Sequence, residues 1–195
     1  MARIAKLTRE TKETKIEISI NLDGSGKADI NTGIGFFDHM LEGFARHGLF
    51  DLTVKAKGDL KVDDHHTIED TGIVLGNVIN SAIGDKRGIR RYGSFILPMD
   101  EALLLCAVDL SGRAYYSSDL SFKTEKIGDM STQMIREFFY AISSSSMMNL
   151  HIKQLSGEND HHICEGAFKA FAKALDTAVS YDERIEGVLS TKGTI

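Results

Sequence analysis

The sequence has no tryptophan, only two cysteines and no long apolar segment. Cys106 and Cys164 are too few for a disulfide framework, so reduced thiols in a cytoplasmic protein are the expectation. No apolar run approaches the roughly 20 residues that a membrane-spanning helix needs. The first ten residues lack the apolar core of a signal peptide. We therefore expect a cytoplasmic protein without a membrane partner.

The sequence has no excess of positive charge: its formal net charge is −5 at pH 7. Nucleic-acid-binding domains usually carry a basic surface, so a nucleic-acid partner is disfavoured. The composition is otherwise that of an ordinary globular protein, with 42% hydrophobic and 26% charged residues. A length of 195 residues suits one compact domain or two small fused ones.

Histidine and glutamate are concentrated in two short motifs. Residues 65–69 read HHTIE, and residues 161–165 read HHICE. Together the motifs hold four of the seven histidines, which is too concentrated for a random surface. We take them as the centre of any functional site.

The polar and apolar patterning predicts the element order β-β-β-α-β-α twice. Residues 15–20, for example, alternate polar and apolar as in a half-buried strand. In the first half we predict strands at 3–9, 14–21, 27–30 and 51–57, and helices at 36–47 and 65–83. In the second half we predict strands at 91–97, 103–109, 113–118 and 149–155, a loop at 143–146, and helices at 130–142 and 161–180. The half-repeats would span 1–88 and 89–181, followed by a flexible tail or lid at 182–195.

Residue spacing supports a duplication. The segment 52–55 resembles 150–153, and His39 and Glu137 each precede these segments by 13 positions. The fold class expected from this repeat is α+β, with duplicated half-domains. His39 and Glu137 are then equivalent positions, and both are residue types that bind metal ions.

Each histidine motif offers ligands in two directions if it is helical. At about 100° per residue, His65 and Glu69 share one face, while His66 points to another neighbour. The apolar residues of this helix occupy the opposite arc; they are Ile68, Val74, Leu75, Val78, Ile79 and Ala82. The helix at 161 repeats the pattern, with Cys164 off the ligand arc.

Imidazole and carboxylate donors without thiolate suit Mn²⁺, Fe²⁺, Zn²⁺ or Co²⁺. Two donor directions per helix predict two ions, with His39 and Glu137 as further ligands. Because the apolar arcs would face the core, the ligand arcs point outward, and we expect another subunit to complete each site. The alternative to a metal site is a solvated His/Glu surface, or buried histidines that are hydrogen-bonded to neighbouring residues. The presence of two matching copies of the motif disfavours this alternative.

Basic and hydroxyl residues of the second half could hold a phosphate group. They are Arg91, Arg113, Lys169, Ser190 and Lys192. The glycine-containing tail could close over a ligand as a lid. Any one of these residues could equally be solvated surface, and by composition Glu13 is one of many exposed carboxylates.

Seven motifs give the chain a close resemblance to the imidazoleglycerol-phosphate dehydratase family over nearly all of its length. They are 11–14 (TKET), 35–41 (GFFDHML), 63–72 (DDHHTIEDTG), 99–102 (MDEA), 109–113 (DLSGR), 159–162 (NDHH) and 190–193 (STKG). The resemblance implies a fold in which two mixed sheets flank a helical bundle. This fold type is named after the second domain of ribosomal protein S5. It also implies a homo-oligomer of 24 subunits with two Mn²⁺ per active site between subunits.

The resemblance further implies dehydration of D-erythro-imidazole-glycerol phosphate to imidazole-acetol phosphate in histidine biosynthesis. Metal ligation falls to His39, His65, His66, Glu69, His161, His162 and Glu165, with Glu137 where some members carry His. The substrate is expected at Glu13, His39, His47, His65, Glu69, Arg91, Arg113, Lys169, Ser190 and Lys192. Catalytic roles go to Glu13 as the acid/base group and to His65, Glu69, His161 and Glu165. Some members carry Gln in place of Gly43, where it contacts the phosphate.

Two other functions fit the residues alone. A di-metal phosphatase would use the same metals and phosphate contacts, and without the resemblance a metal hydrolase is the favoured reaction. A non-catalytic metal-binding assembly would take up metal without turnover, but it leaves the Ser/Lys tail unexplained.

Overall fold

Apart from one short additional hairpin in the second half, the element order agrees with the sequence prediction in a computed structural model that describes residues 3–195. The first half contains β1 (Ile4–Glu10), β2 (Lys15–Asn21), β3 (Ala28–Asn31), α1 (Gly35–Gly48), β4 (Asp51–Lys57) and α2 (His65–Ile83). The second half contains β5 (Tyr92–Met99), β6 (Ala102–Asp109), β7 (Tyr115–Ser118), β8 (Lys126–Ile127), β9 (Met130–Ser131), α3 (Gln133–Ser146), β10 (Asn149–Ser156) and α4 (Asp160–Val179). Among these residues no helix has the length and apolarity that crossing a membrane requires.

The two sheets have the same topology, which confirms the duplication. Their strand orders are β1-β2-β4-β3 and β5-β6-β10-β7. In the first sheet β3 runs parallel to β4, in the second β7 runs parallel to β10, and the remaining pairs are antiparallel. His39 and Glu137 are each the fifth residue of their helix, as equivalent positions should be. The fold is therefore the expected α+β fold with two mixed sheets.

The predicted boundaries fail in the segment between β7 and β10. Met130 and Ser131 form β9 and pair with β8, so α3 begins at Gln133 and not at 130. The loop predicted at 143–146 is also wrong, because α3 continues through Ser146. The serines there are accommodated by hydrogen bonds: the Ser146 hydroxyl donates to the Ile142 carbonyl at 2.6 Å. Nothing in residues 3–88 of the first half corresponds to the β8–β9 hairpin.

The helices lie between the two sheets. Helix α2 packs on β1 and β2 and against α3, while α4 packs on β5 and β6 and against α1. Every apolar residue predicted to face the core from α2 is buried. The same holds for α4, whose core side consists of Ile163, Ala167, Phe168, Ala170, Phe171, Ala174 and Leu175. The ligand arcs of both helices are thereby turned towards the surface.

The tail contains no helix and only an isolated bridge between Arg87 and Val188. It contacts the junction of the two predicted half-repeats, where the Gly88 amide donates to the Gly187 carbonyl at 2.8 Å. A flexible lid and the half-repeat boundaries at 88 and 181 stay predictions.

Glycine permits a close approach of α2 to α3. A Cβ added at Gly76 would lie 2.7 Å from the Ile142 carbonyl oxygen and 2.8 Å from the Ser145 Cβ. Backbone atoms cannot move aside as a flexible side chain can, so this contact fixes the distance between the two helices. In contrast, a Cβ at Gly43 of α1 would meet nothing within 4 Å.

Gly76→Ala should lower the stability of the chain, because overpacking a close contact typically costs about 1–3 kcal/mol. Gly43→Ala is the matched control and should be neutral or stabilise the helix by about 0.5–1 kcal/mol. Denaturant unfolding of both metal-free variants measures the difference. Equal midpoints for the two variants would contradict the close packing of α2 on α3.

Candidate metal centre and substrate site

Three predicted ligands converge where α1 crosses α4. The Nε2 atom of His161 lies 2.9 Å from Glu165 Oε2, and the Nε2 atom of His39 lies 3.5 Å from the same oxygen. Within residues 3–195, this is the only group of three or more His, Cys, Asp or Glu residues whose ligand atoms all lie within 4.8 Å of one another. Two imidazoles and one carboxylate therefore already point to a common centre inside one subunit.

The first turn of α4 is fixed by its cap. The Asn159 side chain accepts hydrogen bonds from the amides of His161 and His162 at 2.9 and 3.4 Å. With the helix register set, the four-residue spacing places His161 and Glu165 on one face. The Phe36 ring packs edge-on against His161 with 5.1 Å between ring centroids, which restricts the orientation of that imidazole.

Glu165 is held as an anion although its side chain is only 12% exposed. Burial raises its pKa, but the Lys169 ammonium and the hydrogen bond from His161 outweigh burial, so the pKa lies below its ordinary value. Lys169 Nζ is 2.6 Å from Oε1, while Oε2 faces the histidines. The donor set fits the imidazole and carboxylate ligands of a divalent ion such as Mn²⁺, Fe²⁺ or Zn²⁺.

The copy on α2 is more open. His65 Nε2 lies 3.3 Å from Glu69 Oε2, and the Glu69 side chain is 41% exposed. Glu137 does not converge with this pair as His39 does with Glu165. Glu137 instead lines a cavity of about 430 Å³ together with Tyr116.

His66 and His162 face away from these clusters, as the helical geometry predicts. The Nδ1 atom of His66 lies 3.0 Å from Asp59 Oδ2, and that of His162 lies 2.8 Å from Glu101 Oε2. The hydrogen bond to Asp59 raises the pKa of His66, and the one to Glu101 raises the pKa of His162. Both helices thus offer donors in two directions.

Glu13 lies in a turn that is tied to α2. The Glu13 amide donates to the Thr11 hydroxyl at 3.1 Å, and the Thr14 hydroxyl donates to Asp70. Asp70 directly follows the HHTIE motif, so this contact holds the turn beside the predicted ligands. Glu13 Oε2 is 3.9 Å from His66 Nδ1, which places a half-exposed carboxylate beside one of the predicted ligands of α2.

The predicted phosphate contacts occupy two places in the subunit. Arg91, Arg113, Ser190 and Lys192 line one cavity of about 780 Å³ under the tail. Arg91 is oriented there by Asp109 at 2.7 Å and donates to the Leu189 carbonyl at 2.8 Å.

Lys169 and His47 do not line that cavity and lie on the α1–α4 side instead. Burial and the nearby Lys169 ammonium lower the pKa of His47. The two groups of predicted substrate contacts are therefore separate within one chain.

Known proteins of one family are similar to this chain. Residues 32–175 match the sequence model of a family described as imidazoleglycerol-phosphate dehydratase. The chain belongs to the imidazoleglycerol-phosphate dehydratase family. Relatives of that name from Lachnoclostridium phytofermentans and Acetivibrio thermocellus are 64% and 58% identical over 195 residues, which is the full length of each chain.

Solved structures of the family have the same fold. The dehydratase from Staphylococcus aureus superposes with a TM-score of 0.83 at 40% identity and covers 92% of this chain and 99% of its own. The Pyrococcus furiosus structure also gives 0.83, at 38% identity, over 97% of this chain and 100% of its own. The resemblance inferred from the sequence motifs is thereby confirmed.

Three aspartates hold the N-termini of helices that carry predicted ligands, and this role was not predicted from the sequence for any of them. Asp64 accepts from the Ser131 amide and hydroxyl at 2.5 and 2.9 Å, and Asp160 accepts from the Thr124 amide at 2.8 Å. Asp129 accepts from the first two amides of α1 at 2.8 and 3.1 Å. The segment around the β8–β9 hairpin thus holds the N-termini of α1, α2 and α4. The only signal in the sequence was an Asp directly before each His-His pair.

The two thiols take no part in the candidate centre. Cys106 and Cys164 are fully buried, and burial raises the pKa of both. They pack in the core, as their apolar surroundings in the sequence indicate.

Proposed function

We propose that this chain is a cytoplasmic hydro-lyase that dehydrates D-erythro-imidazole-glycerol phosphate to imidazole-acetol phosphate in histidine biosynthesis. The observation that carries the proposal is the convergence of two imidazoles and one carboxylate at the α1–α4 crossing in a chain of the dehydratase family. The substrate is a small phosphate ester, and the basic cavity under the tail suits its phosphate group.

We assign two Mn²⁺ ions to each active site. The assigned ligands are His39, His65, His66, Glu69, Glu137, His161, His162 and Glu165. When bound, such ions stabilise the negative charge that develops on the substrate's imidazole ring. Glu137 is included because it is the counterpart of His39, and a carboxylate is a suitable donor for Mn²⁺.

We further propose that the sites lie between subunits of a homo-oligomer of 24 chains. The exposure of the ligand histidines supports this, since their side chains remain 25–50% exposed in a single subunit. The separation of Lys169 from the basic cavity also supports it. A neighbouring copy would bring one group to the other, and no contact within the chain does so.

Glu13 is the proposed acid/base group. It lies beside His66, is half exposed and is held by the Thr14–Asp70 contact, so it can reach a substrate bound at the metal centre. Arg91, Arg113, Lys169, Ser190 and Lys192 anchor the phosphate, and His47 lies beside Lys169 on the same side. Binding of the phosphate holds the reacting carbon at a fixed distance from the Glu13 carboxylate.

Glu13→Gln should leave binding of the substrate nearly unchanged and reduce turnover, by the 10²–10⁴-fold typical of acid–base groups. The assay follows formation of the ketone product from imidazole-glycerol phosphate with added Mn²⁺, with metal content measured on the same sample. Glu10→Gln is the matched control on the same hairpin, where Glu10 only pairs with Lys15 at 3.0 Å.

If turnover of the Glu13→Gln variant falls less than about tenfold, Glu13 is not the acid/base group, because acid–base groups usually have a larger effect. Release of inorganic phosphate instead of ketone would show a di-metal phosphatase. Uptake of Mn²⁺ with no turnover of the unaltered chain would show a non-catalytic assembly. Either of the last two results would contradict the proposed reaction.

Removal of metal should change the size of the assembly, because ligands from different copies no longer share an ion. Gel filtration with and without a chelator measures this, and Mn²⁺ added back should restore the larger species. A monomer under both conditions would exclude sites between subunits.

A further inference from the structure

Two carboxylates contact the same atom of two equivalent histidines. Asp59 lies 3.0 and 3.2 Å from His66 Nδ1 through its two oxygens, and Glu101 lies 2.8 Å from His162 Nδ1. Neither carboxylate belongs to the histidine motifs.

The duplication of the chain does not account for this coincidence. Asp59 lies in the loop between β4 and α2, whereas Glu101 lies in the turn between β5 and β6. These are different positions in the two half-repeats. The same contact is therefore supplied twice by unrelated elements, as expected if the contact itself matters to the site.

The contact determines which ring nitrogen is available. A neutral imidazole carries one N–H, and a carboxylate at Nδ1 keeps the proton there, so Nε2 presents its lone pair. His65 and His161 differ, because each directs Nε2 towards the glutamate of its own helix. For His162, the Nε2 atom has Asp100 at 3.7 Å, too far for a hydrogen bond.

Glu101 is itself held in place. Its Oε1 accepts from the Asn159 amide at 2.8 Å and the Glu158 amide at 3.2 Å, while Oε2 contacts His162. A carboxylate fixed at both oxygens sets the direction of the ring and not only its charge.

We propose that Asp59 and Glu101 are positioning residues that hold His66 and His162 as Nε2 donors to the divalent ion. The inference rests on the proposed function, because it takes both histidines as ligands. Partners of this kind on metal-binding histidines typically contribute 10–100-fold to metal affinity.

The test is Mn²⁺ binding to the full chain, measured from the electron paramagnetic resonance signal of free Mn²⁺ during a titration. Asp59→Ala and Glu101→Ala should each weaken binding 10–100-fold. Asp59→Asn and Glu101→Gln keep an oxygen acceptor and should recover part of that loss. They also serve as the test variants if the alanine variants do not fold.

Asp63→Asn and Glu158→Gln are the matched controls. Each removes a nearby negative charge from a side chain that hydrogen-bonds neither ring, so each should bind Mn²⁺ as tightly as the unaltered chain. Thermal unfolding of the metal-free variants accompanies the titration, since a purely structural contact would change stability and not affinity.

Unchanged affinity in both alanine variants, while His66→Ala weakens binding, would overturn this inference and leave the proposed function standing. An equal loss of affinity in the controls and the test variants would overturn it as well, because the effect would then be one of net charge. If His66→Ala and His162→Ala bind Mn²⁺ normally, the ligand set of the proposed function fails, and this inference fails with it.

Discussion

Burial of the apolar arcs of α2 and α4 is the constraint on which the site depends. Each helix turns its Ile, Val, Leu, Phe and Ala side chains onto a sheet and a neighbouring helix. At about 25 cal/mol per Å² of apolar surface, this burial is too favourable for either helix to rotate about its axis. The opposite arcs, which carry the His-His-x-x-Glu motifs, must then face outward. The predicted ligand histidines are partly exposed because the core is made on their other side.

Local electrostatics makes the two copies of the motif different. On α4, His39 from α1 and Lys169 from the next turn both attract Glu165, and its side chain is only 12% exposed. On α2, the residue equivalent to His39 is Glu137, which does not join the His65–Glu69 pair, and the Glu69 side chain stays 41% exposed. One copy therefore brings three predicted ligands together within a single chain, while the other brings together only His65 and Glu69.

Much of the fold followed from periodicity, because one amphipathic pattern repeats twice with equivalent spacing. His39 and Glu137 were paired by counting residues, and both lie at the fifth position of equivalent helices. The β8–β9 hairpin was not predicted, since two-residue strands carry no periodic signal. The serines at 143–146 were misassigned because their helical state depends on hydrogen bonds, such as that of Ser146, which local preference does not reveal.

The candidate ligands were readable from residue type, but the residues that orient them were not. Asp59 and Glu101 reach His66 and His162 from separate loops, and only the folded chain brings these atoms together. Asp129 likewise holds the N-terminus of α1 from 94 residues away. These contacts come from an adjacent loop in one case and from distant segments in the others, so they leave no common spacing pattern. They are also the contacts that turn a cluster of ligand types into a site with defined directions.

The central claim is that two divalent ions are held between subunits, by imidazoles that each chain turns towards its surface. Anomalous diffraction from crystals grown with Mn²⁺, recorded near the manganese absorption edge, tests it most directly. We expect two peaks per active site, with one copy contributing from the His65 motif and a neighbouring copy from the His161 motif. Peaks coordinated by a single copy, or no peak at these histidines, would contradict it.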